Sequence, residues 1–551
     1  MFVRVPVTRL FLQEQLYMKE STTPSWLKSK GYLHLTPQID VLRRQKELLS
    51  KIQNEKFIAK YGFYPLIYSS IDDRKYKKSI ISENPLKIER KHSFKNTKGK
   101  FVKNIKSRPL HYATHMDALI FGYYAELLQD KYEELLKPQQ DLSECIIAYR
   151  KIPIGDGSKK NKGTIHFANE VFEEVKKRAT NEECTVLTFD IKSFFPSLNH
   201  TFLKEAWCKL LGVERLPEDH YNVFKASTKF SYILMDELRA YQSKNGRRAG
   251  FDEKKLAKIR NDVGVNCFFE SSKEFKEKVR NKELRVYKYP FWDKENKCPM
   301  GIPQGLPIST ILANLYLLEF DLEVFQKLVV QENCYYRRYS DDIVIICNNS
   351  QSSQIKDFVK DSIKAQKVKI SEDKTEEFIF ERFISANGDN KLRSVKITNN
   401  ERKTDVPLIY LGFEFYGDRK AIKSSNLSKF YRRMIQAIKS KSRIALKQAE
   451  SKPDKSPIIF RRQLYRLYST INLRKTNIRT RFKRIVKTEK GNYRTISIES
   501  NKKLKSNYFT YIDRASEIMD APSIKRQLRN HKKIFNQAVF KHFYSQINKE
   551  S

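Results

Sequence analysis

The stretch "YYRRYSDDIVIIC", residues 335–347, places two adjacent aspartates between an aromatic, basic run and a run of branched apolar residues. Both flanks have the composition of β-strands, so the stretch predicts a β-hairpin with Asp341 and Asp342 at its turn. A second strand-like segment, "CTVLTFD" at 184–190, ends on Asp190, and Pro196 follows shortly after it. Three carboxylates on neighbouring strands concentrate negative charge, which is costly unless a cation sits among them.

The expected chemistry of this cluster follows from its ligand atoms. Oxygen ligands without histidine or thiolate favour Mg²⁺. Two such ions a few ångströms apart can activate a 3′-hydroxyl group and stabilise a leaving pyrophosphate in an in-line displacement. The sequence therefore predicts a two-ion site at Asp190, Asp341 and Asp342, with Mn²⁺ as an alternative metal.

Net charge indicates the class of partner. The chain has 551 residues, with 107 lysines and arginines against 64 acidic residues and a formal net charge of +43. Such an excess repels itself unless a polyanion neutralises it, and nucleic acid is the expected polyanion. The length exceeds the roughly 100–200 residues of one domain, so several subdomains are expected.

Cysteine usage and hydropathy bear on the compartment. The seven cysteines form no CxxC pair, so we interpret them as reduced thiols of a cytoplasmic protein. Arg4 and Arg9 interrupt the apolar residues near the N-terminus, which argues against a signal peptide. No run approaches the roughly 18 apolar residues of a transmembrane helix, so no membrane partner is expected.

Five motifs in order carry a resemblance to a known family. They are "FDIKSFF" at 189–195, "GIPQGLPIS" at 301–309, "YSDD" at 339–342, "SEDKT" at 371–375 and "YLGFEF" at 410–415. Together they resemble the palm motifs of reverse transcriptases, over roughly residues 140–420. The serine of "YSDD" and the "AYRK" stretch at 148–151 resemble the bacterial defence-associated and abortive-infection members more than retroviral, retron or intron-encoded ones.

The resemblance implies roles for individual residues. Asp190 and Asp341 would be the principal metal ligands, with Asp342 assisting and the Ile191 carbonyl holding the nucleotide-side ion. Phe195 would be the steric gate that excludes a ribose 2′-hydroxyl, the alternative being a core phenylalanine beside Phe194.

Further matches concern the nucleotide and the primer. By this resemblance, Gln304 and Gly305 would lie beneath the incoming nucleotide. Lys374, Arg150 and Lys151 would bind its triphosphate. The primer grip would consist of Leu411, Gly412 and Phe413. The alternative for Lys374 is a solvated lysine in a basic chain. An additional pair, Asp72 and Asp73, precedes Arg and Lys instead of an apolar strand, and we interpret it as a surface turn.

The implied fold is an α/β (α+β) right-hand polymerase with an antiparallel-sheet palm, mostly helical fingers and a basic α-helical thumb. We expect an N-terminal extension and fingers at 1–185, a palm at 186–420 with a helical insertion at about 200–285, and a helical thumb and C-terminal region at 421–551. A single strand is expected over 408–417, and helices beyond about 420.

The implied activity is Mg²⁺-dependent, RNA-templated DNA synthesis from dNTPs in bacterial antiviral defence. The implied partners are an RNA template and a DNA product; a dedicated non-coding RNA, a second copy of the chain or a partner protein stays open. Two alternatives remain: template-independent or protein-primed DNA synthesis on the same palm, and a non-catalytic nucleic-acid-binding scaffold.

Overall fold

The computed structural model describes residues 23–550 except 75–76, 82–83, 92, 96–100, 104, 156, 159, 241–249, 296, 400, 452–455, 460, 470–478, 490 and 504–505. The chain divides into two compact units. The first unit consists of Met1–Leu135, Phe195–Tyr316 and Ile485–Thr495. The second unit consists of Leu136–Phe194, Leu317–Arg484 and Ile496–Ser551. The expected three-part division into fingers, palm and thumb stays a prediction.

The α-helices vary from one turn to more than seven. In chain order they are α1 (Gln45–Ile52), α2 (Glu55–Ala59), α3 (His115–Leu136), α4 (Gln140–Cys145), α5 (Thr164–Arg178), α6 (Phe194–Ser197), α7 (His200–Leu211), α8 (Glu218–Thr228), α9 (Glu253–Lys258), α10 (Ser272–Arg280), α11 (Ser309–Tyr316), α12 (Leu318–Val324), α13 (Ser352–Ala365), α14 (Ser424–Glu450), α15 (Arg461–Tyr468), α16 (Tyr508–Ile518), α17 (Pro522–Arg526), α18 (His531–Val539) and α19 (Ser545–Glu550).

The β-strands are mostly short. In chain order they are β1 (Leu66–Arg74), β2 (Lys77–Ile81), β3 (Asn84–Lys91), β4 (Ser93–Lys95), β5 (Phe101–Lys103), β6 (Ile105–Tyr112), β7 (Cys184–Asp190), β8 (Ser231–Leu234), β9 (Tyr287–Lys288), β10 (Trp292–Asp293), β11 (Cys298–Pro299), β12 (Tyr335–Tyr339), β13 (Asp342–Asn348), β14 (Glu376–Ile384), β15 (Asn390–Thr398), β16 (Glu401–Thr404), β17 (Leu408–Tyr410), β18 (Phe413–Phe415), β19 (Lys420–Ile422), β20 (Arg479–Lys487) and β21 (Tyr493–Lys503).

The second unit is built on a six-stranded sheet, which we call the central sheet, in the order β12-β13-β7-β14-β15-β16. Every neighbouring pair in it is antiparallel. The apolar run of β13 is buried from Ile343 to Cys347, and the run of β7 is buried over most of its length. Both strands therefore read as continuous apolar segments, because both faces of the sheet are covered. The predicted hairpin at 335–347 is confirmed.

One face of the central sheet shares a core with helices from distant parts of the chain. Buried residues of this core come from α5, from β7, β13, β14 and β18, and from α16 and α17, and include Phe172, Val186, Val344, Phe378, Phe413, Phe509, Ile512 and Ile524. Phe172 stacks on Phe415 with ring centroids 4.7 Å apart. The C-terminal helices α16 and α17 are thus part of the core of the central sheet.

The first unit contains a second sheet in the order β6-β1-β8-β9. β1 pairs antiparallel with β6 and parallel with β8. The expected surface turn at Asp72 and Asp73 is wrong in conformation, because both residues lie in β1, opposite Ser107 and Lys106 of β6. Asp72 is exposed, as expected. The segment 200–285 contains α7 to α10, and β8 is the strand that the sequence did not indicate.

Two expectations near the C-terminal end need correction. The strand expected over 408–417 is two antiparallel strands, β17 and β18, because Leu411 and Gly412 both have positive φ, at 43° and 91°, and reverse the chain. The region beyond 420 is not all helical, because β20 and β21 lie between α15 and α16.

Across the described residues, no helix combines the length and the hydropathy needed to cross a membrane.

Candidate active site

The turn between β12 and β13 presents the predicted aspartates. Tyr339 pairs with Asp342, so Ser340 and Asp341 form a two-residue turn. Ser340 is buried, and its backbone has a φ of 61°. A positive φ is uncommon for serine and is characteristic of two-residue hairpin turns. On the other side of β13, Asp342 lies opposite Asp190 at the end of β7, and the backbone amide of Ile191 donates to the Asp341 carbonyl over 3.1 Å. The fold therefore gathers all three carboxylates at one end of the central sheet.

The electrostatics of this end are dominated by like charge. The pKa of Asp342 is raised to about 7, first by desolvation and then by the negative charges of Asp341 and Asp190. Asp342 is an exposed residue, so solvent moderates the desolvation of its carboxylate. Lys374 and Lys423 act in the opposite direction and lower this pKa, but they do not cancel the rise.

Lys374 provides a cation at this site. Its ammonium group contacts Oδ1 of Asp190, and it lies in a 3₁₀ turn, Glu372–Lys374. The Asp190 carbonyl accepts the Ser371 amide at 2.8 Å, and the Ser371 carbonyl accepts the Lys374 amide at 2.9 Å. The same backbone that carries Asp190 therefore holds the turn that delivers Lys374 to its side chain.

The residues present fit a divalent metal in their chemistry. Three carboxylates without histidine or thiolate form a donor set suited to Mg²⁺, and their mutual repulsion raises the pKa of Asp342. Among the residues that the structure describes, no group of three or more acidic, histidine or cysteine side chains already converges in a metal-holding arrangement. The carboxylate of Asp190 is instead paired with Lys374. Convergence on a cation would therefore require side-chain rotations at fixed backbone positions.

The predicted finger cations occupy the segment that precedes α5. Ile146 bridges to Arg338 of β12, and the Ile147 amide donates to the Arg338 carbonyl over 3.1 Å. Arg150 donates to the Ile146 carbonyl at 2.8 Å and to the Ser143 hydroxyl at 2.8 Å, so its guanidinium anchors the end of α4. Lys151 is exposed.

Tyr149 links this segment to the aspartate turn. Its hydroxyl donates to the Ser340 hydroxyl over 3.4 Å, and its backbone has a positive φ of 62°. The segment with Arg150 and Lys151 is thus next to the turn that carries Asp341 and Asp342.

The predicted primer grip is the tight turn between β17 and β18. Leu411 and Gly412 are its two turn residues, and Phe413 is fully buried. The sequence did not single out Glu414, which is 6% exposed and accepts the Ser424 amide at 2.8 Å and the Ser424 hydroxyl at 3.1 Å. Ser424 begins α14, so Glu414 caps this helix from the grip hairpin.

Phe195, Gln304 and Gly305 belong to the first unit. Phe195 is half-buried whereas Phe194 is 3% exposed, and the role of Phe195 as a steric gate stays a prediction. The Gln304 carbonyl accepts the His111 amide at 2.7 Å. A Cβ at Gly305, whose φ is +113°, would lie 2.4 Å from the His111 carbonyl. Strand β6 therefore backs the "PQG" loop, and glycine is required there by space and by φ.

A buried ion pair behind the aspartate turn was also missed. Arg338 and Asp321 are both 0% exposed and are joined by two hydrogen bonds of 2.7 and 2.5 Å. A signal for it exists, because Arg338 lies on the same strand face as Tyr336, and that face is buried. A basic residue on a buried face requires an acidic partner.

Residues 269–415 match the model of a family described as reverse transcriptase (RNA-dependent DNA polymerase). This segment therefore contains a reverse transcriptase domain. Together with the antiparallel central sheet, the match confirms the right-hand polymerase fold class. The match includes the "PQG" loop, the "YSDD" turn and Lys374, and it begins after Asp190 and Phe195. No curated protein matches the chain.

The similar solved structures include telomerases of two yeasts. Apo telomerase from Candida tropicalis, truncated from the C-terminal domain, is 14% identical, with a TM-score of 0.31; the match covers 66% of this chain and 60% of that chain. Telomerase from Candida albicans in complex with a fragment of telomeric RNA is 11% identical, with a TM-score of 0.34; the match covers 92% of this chain and 68% of that one. This chain therefore spans about three fifths of the first of these proteins.

Proposed function

We propose that the protein is a reverse transcriptase that adds deoxynucleotides to a primer 3′ end on an RNA template. One observation carries the proposal: Asp190, Asp341 and Asp342 meet at one end of a buried antiparallel sheet, inside or beside a segment that matches a reverse transcriptase family model. Three intact carboxylates at one end of the sheet argue against a non-catalytic scaffold.

The metal assigned to this site is Mg²⁺, with Mn²⁺ as an alternative. Asp190, Asp341 and the Ile191 carbonyl would hold it, with Asp342 assisting. When bound, it supplies positive charge that activates the attacking 3′-hydroxyl and stabilises the leaving pyrophosphate.

The side chains of this chain supply the rest of the chemistry. Lys374 pairs with Asp190 in the structure. We assign Lys374 to the triphosphate of the incoming dNTP, so on nucleotide binding it would leave Asp190 and pair with a phosphate. Lys151 is exposed beside the aspartate turn and is assigned to the same triphosphate. Phe195 is assigned to the sugar and the turn at Leu411 and Gly412 to the primer end.

The biological setting is part of the proposal. The serine of "YSDD" and the "AYRK" stretch support a role in bacterial antiviral defence in the cytoplasm, on a cellular or dedicated non-coding RNA. The net charge of +43 supports nucleic acid as the principal partner. Sequencing the nucleic acid that co-purifies with the protein would report the template, the primer and the product together.

The direct test is primer extension by the purified protein with Mg²⁺ and dNTPs, on an RNA template with a DNA primer. We expect templated extension by wild type, none by Asp341→Ala, and wild-type extension by Asp72→Ala, whose carboxylate is exposed on β1. Extension that ignores the template, or that needs no nucleic-acid primer, would favour the template-independent or protein-primed alternative. Full activity of Asp341→Ala would contradict the assigned site.

A further inference from the structure

The buried pair of Arg338 and Asp321 contacts the aspartate turn itself. Arg338 donates from Nε and one terminal nitrogen to the two Asp321 oxygens, at 2.7 and 2.5 Å. Its other terminal nitrogen donates to the carbonyl of Ser340 over 3.2 Å. One guanidinium therefore joins α12, which carries Asp321, to the turn that carries Asp341.

The pair has further supports that fix its position. The Tyr336 hydroxyl donates to Oδ1 of Asp321 over 2.6 Å, and Tyr336 is also 0% exposed. The Arg338 backbone carbonyl accepts the Ile147 amide at 3.1 Å. Tyr336 thus fixes the carboxylate of Asp321, and Ile147 fixes the backbone of Arg338, so both members of the pair are held in place.

Stability alone does not account for such a pair. Buried ion pairs pay a desolvation cost that often cancels their attraction, and apolar residues of similar volume are often as stable or more so. Arginine is suited to a second task, since its planar fork keeps a bidentate partner on one edge and still presents N–H groups elsewhere. Here that remaining donor meets the Ser340 carbonyl, in a residue with a φ of 61°.

We propose that Arg338, oriented by Asp321, is a positioning residue that fixes the Ser340–Asp341 turn for nucleotide addition. This inference rests on the proposed function. Arg338 does not touch the reacting groups; it acts through the Ser340 carbonyl, one residue before Asp341. Because a misplacement of about 1 Å can cost on the order of a hundredfold in rate, a turn that loses this anchor should bind substrates normally and react slowly.

The test separates positioning from folding with a triple variant, Asp321→Leu, Tyr336→Phe and Arg338→Met. It replaces the whole buried polar group by apolar side chains, so no unpaired charge is left and the variant is expected to fold. We expect the kcat for primer extension to fall about a hundredfold while the KM for dNTP stays within about threefold. Mn²⁺ affinity, measured by electron paramagnetic resonance without nucleotide, should weaken about tenfold.

Two further variants complete the design. Arg338→Lys keeps a buried cation against Asp321 but cannot bridge to Ser340 as well, and we expect the same fall in kcat. The control is Glu381→Leu with Arg393→Met, which removes a pair joined at 2.6 and 2.8 Å between β14 and β15, distant in register from the turn. Glu381 is buried and also pairs with Arg402, whose side chain is half exposed and can be solvated when Glu381 is replaced. This control is expected to change stability and leave kcat unchanged.

Each outcome decides the proposal. The proposal is overturned if the triple variant and Arg338→Lys both fold and keep the kcat and the Mn²⁺ affinity of wild type. In that case primer extension by the wild-type protein would still support the proposed function. If neither variant folds even at low temperature, the pair is a requirement of the fold and a distinct positioning role fails. If wild type adds no nucleotide on any template, it is the proposed function that fails.

Discussion

Asp342 and Asp190 face each other across the pairing of β13 with β7. Their repulsion, together with that from Asp341, makes the metal-free site less stable than it would be with one charge fewer. We expect Asp342→Asn to raise the unfolding temperature in EDTA by about 1–2 °C. Asp190→Asn should not do so, because it also removes the partner of Lys374. Thermal denaturation of the two variants side by side checks this, and equal shifts would contradict it.

Sugar selection is expected to depend on Phe195. Phe195→Ala should admit ribonucleotides by removing a ring, with a change in discrimination on the order of a hundredfold. Phe195→Tyr keeps the ring and should keep the discrimination. The measurement is the ratio of kcat/KM for a dNTP and the matching rNTP. A wild type that uses both sugars equally, or an unchanged ratio in Phe195→Ala, would make Phe195 a packing residue.

Helix α14 presents a row of cations opposite its buried face. The buried side includes Phe430, Met434 and Ile438, and the exposed residues include Arg432, Lys439, Arg443 and Lys447. If these four neutralise phosphates, replacing them by glutamine should lower the magnitude of the slope of log affinity against log salt by about 3.6, at about 0.9 per duplex phosphate. Binding to a primer–template at several salt concentrations measures the slope.

A charge-matched control for α14 comes from lysines that are paired with glutamates on their own helices or the adjoining loop. They are Lys51, Lys131, Lys273 and Lys278. Their replacement by glutamine removes the same net charge. A similar change of slope in both variants would mean that α14 has no special role and that total charge governs binding.

Asp117 gives the first unit a pH dependence. It is fully buried near the start of α3, where the Tyr61 hydroxyl donates over 2.8 Å and the Tyr64 amide over 3.1 Å. Burial raises its pKa to about 6. The folded state therefore holds this proton up to a higher pH than the unfolded state, so its contribution to stability is complete below about pH 4 and is lost as the pH rises to 6.

Asp117→Asn should remove that loss. A flipped amide can still accept from Tyr64 and donate to Tyr61, so the variant is expected to fold. Relative to wild type, the free energy of unfolding of the variant should gain about 1–3 kcal/mol between pH 4 and 7. Urea titrations at a series of pH values measure the difference, and parallel curves for the two proteins would refute the assignment.

Gly305 is expected to tolerate no side chain. An added Cβ would meet the backbone of His111, which cannot move aside as a flexible side chain would. Gly305→Ala should lower stability by about 1–3 kcal/mol and raise the KM for dNTP. Gly31→Ala, at a position with open space around it, is the matched control and should be nearly silent. Equal effects from both substitutions would contradict the prediction.

The sequence predicted the parts of the site that depend on local pattern. The apolar runs of β7 and β13 are long, rich in branched side chains and end at aspartates. The positions of Asp190 and of the Asp341 turn could therefore be predicted from the sequence. Their convergence followed from one further step, the pairing of two buried strands. Ile191 lies beside them for the same reason, since it directly follows Asp190 in the chain.

The features that were missed depend on contacts between distant segments. Asp72 looked like a turn residue because its neighbours are charged, yet pairing with β6 holds it in a strand. Lys374 was predicted as a site residue, but its contact with Asp190 was not, because the two residues are 184 positions apart in the sequence. Glu414 and Arg338 are polar residues among apolar ones, and only their partners, Ser424 and Asp321, explain their burial.

Because α16 and α17 contribute to the core of the central sheet, this core can form only after both helices have been synthesised. The side-chain amide of Gln527 accepts the Ile422 amide N–H over 2.8 Å and donates to the Ile422 carbonyl over 3.0 Å. Phe509 and Ile524 lie in the core of the sheet. A ribosome must therefore translate the chain at least as far as α17 before the sheet that carries the aspartates can complete its core. Until then an apolar face of the sheet is exposed to misassociation, and the carboxylates would meet a metal in a completed site only after α16 and α17 have been made.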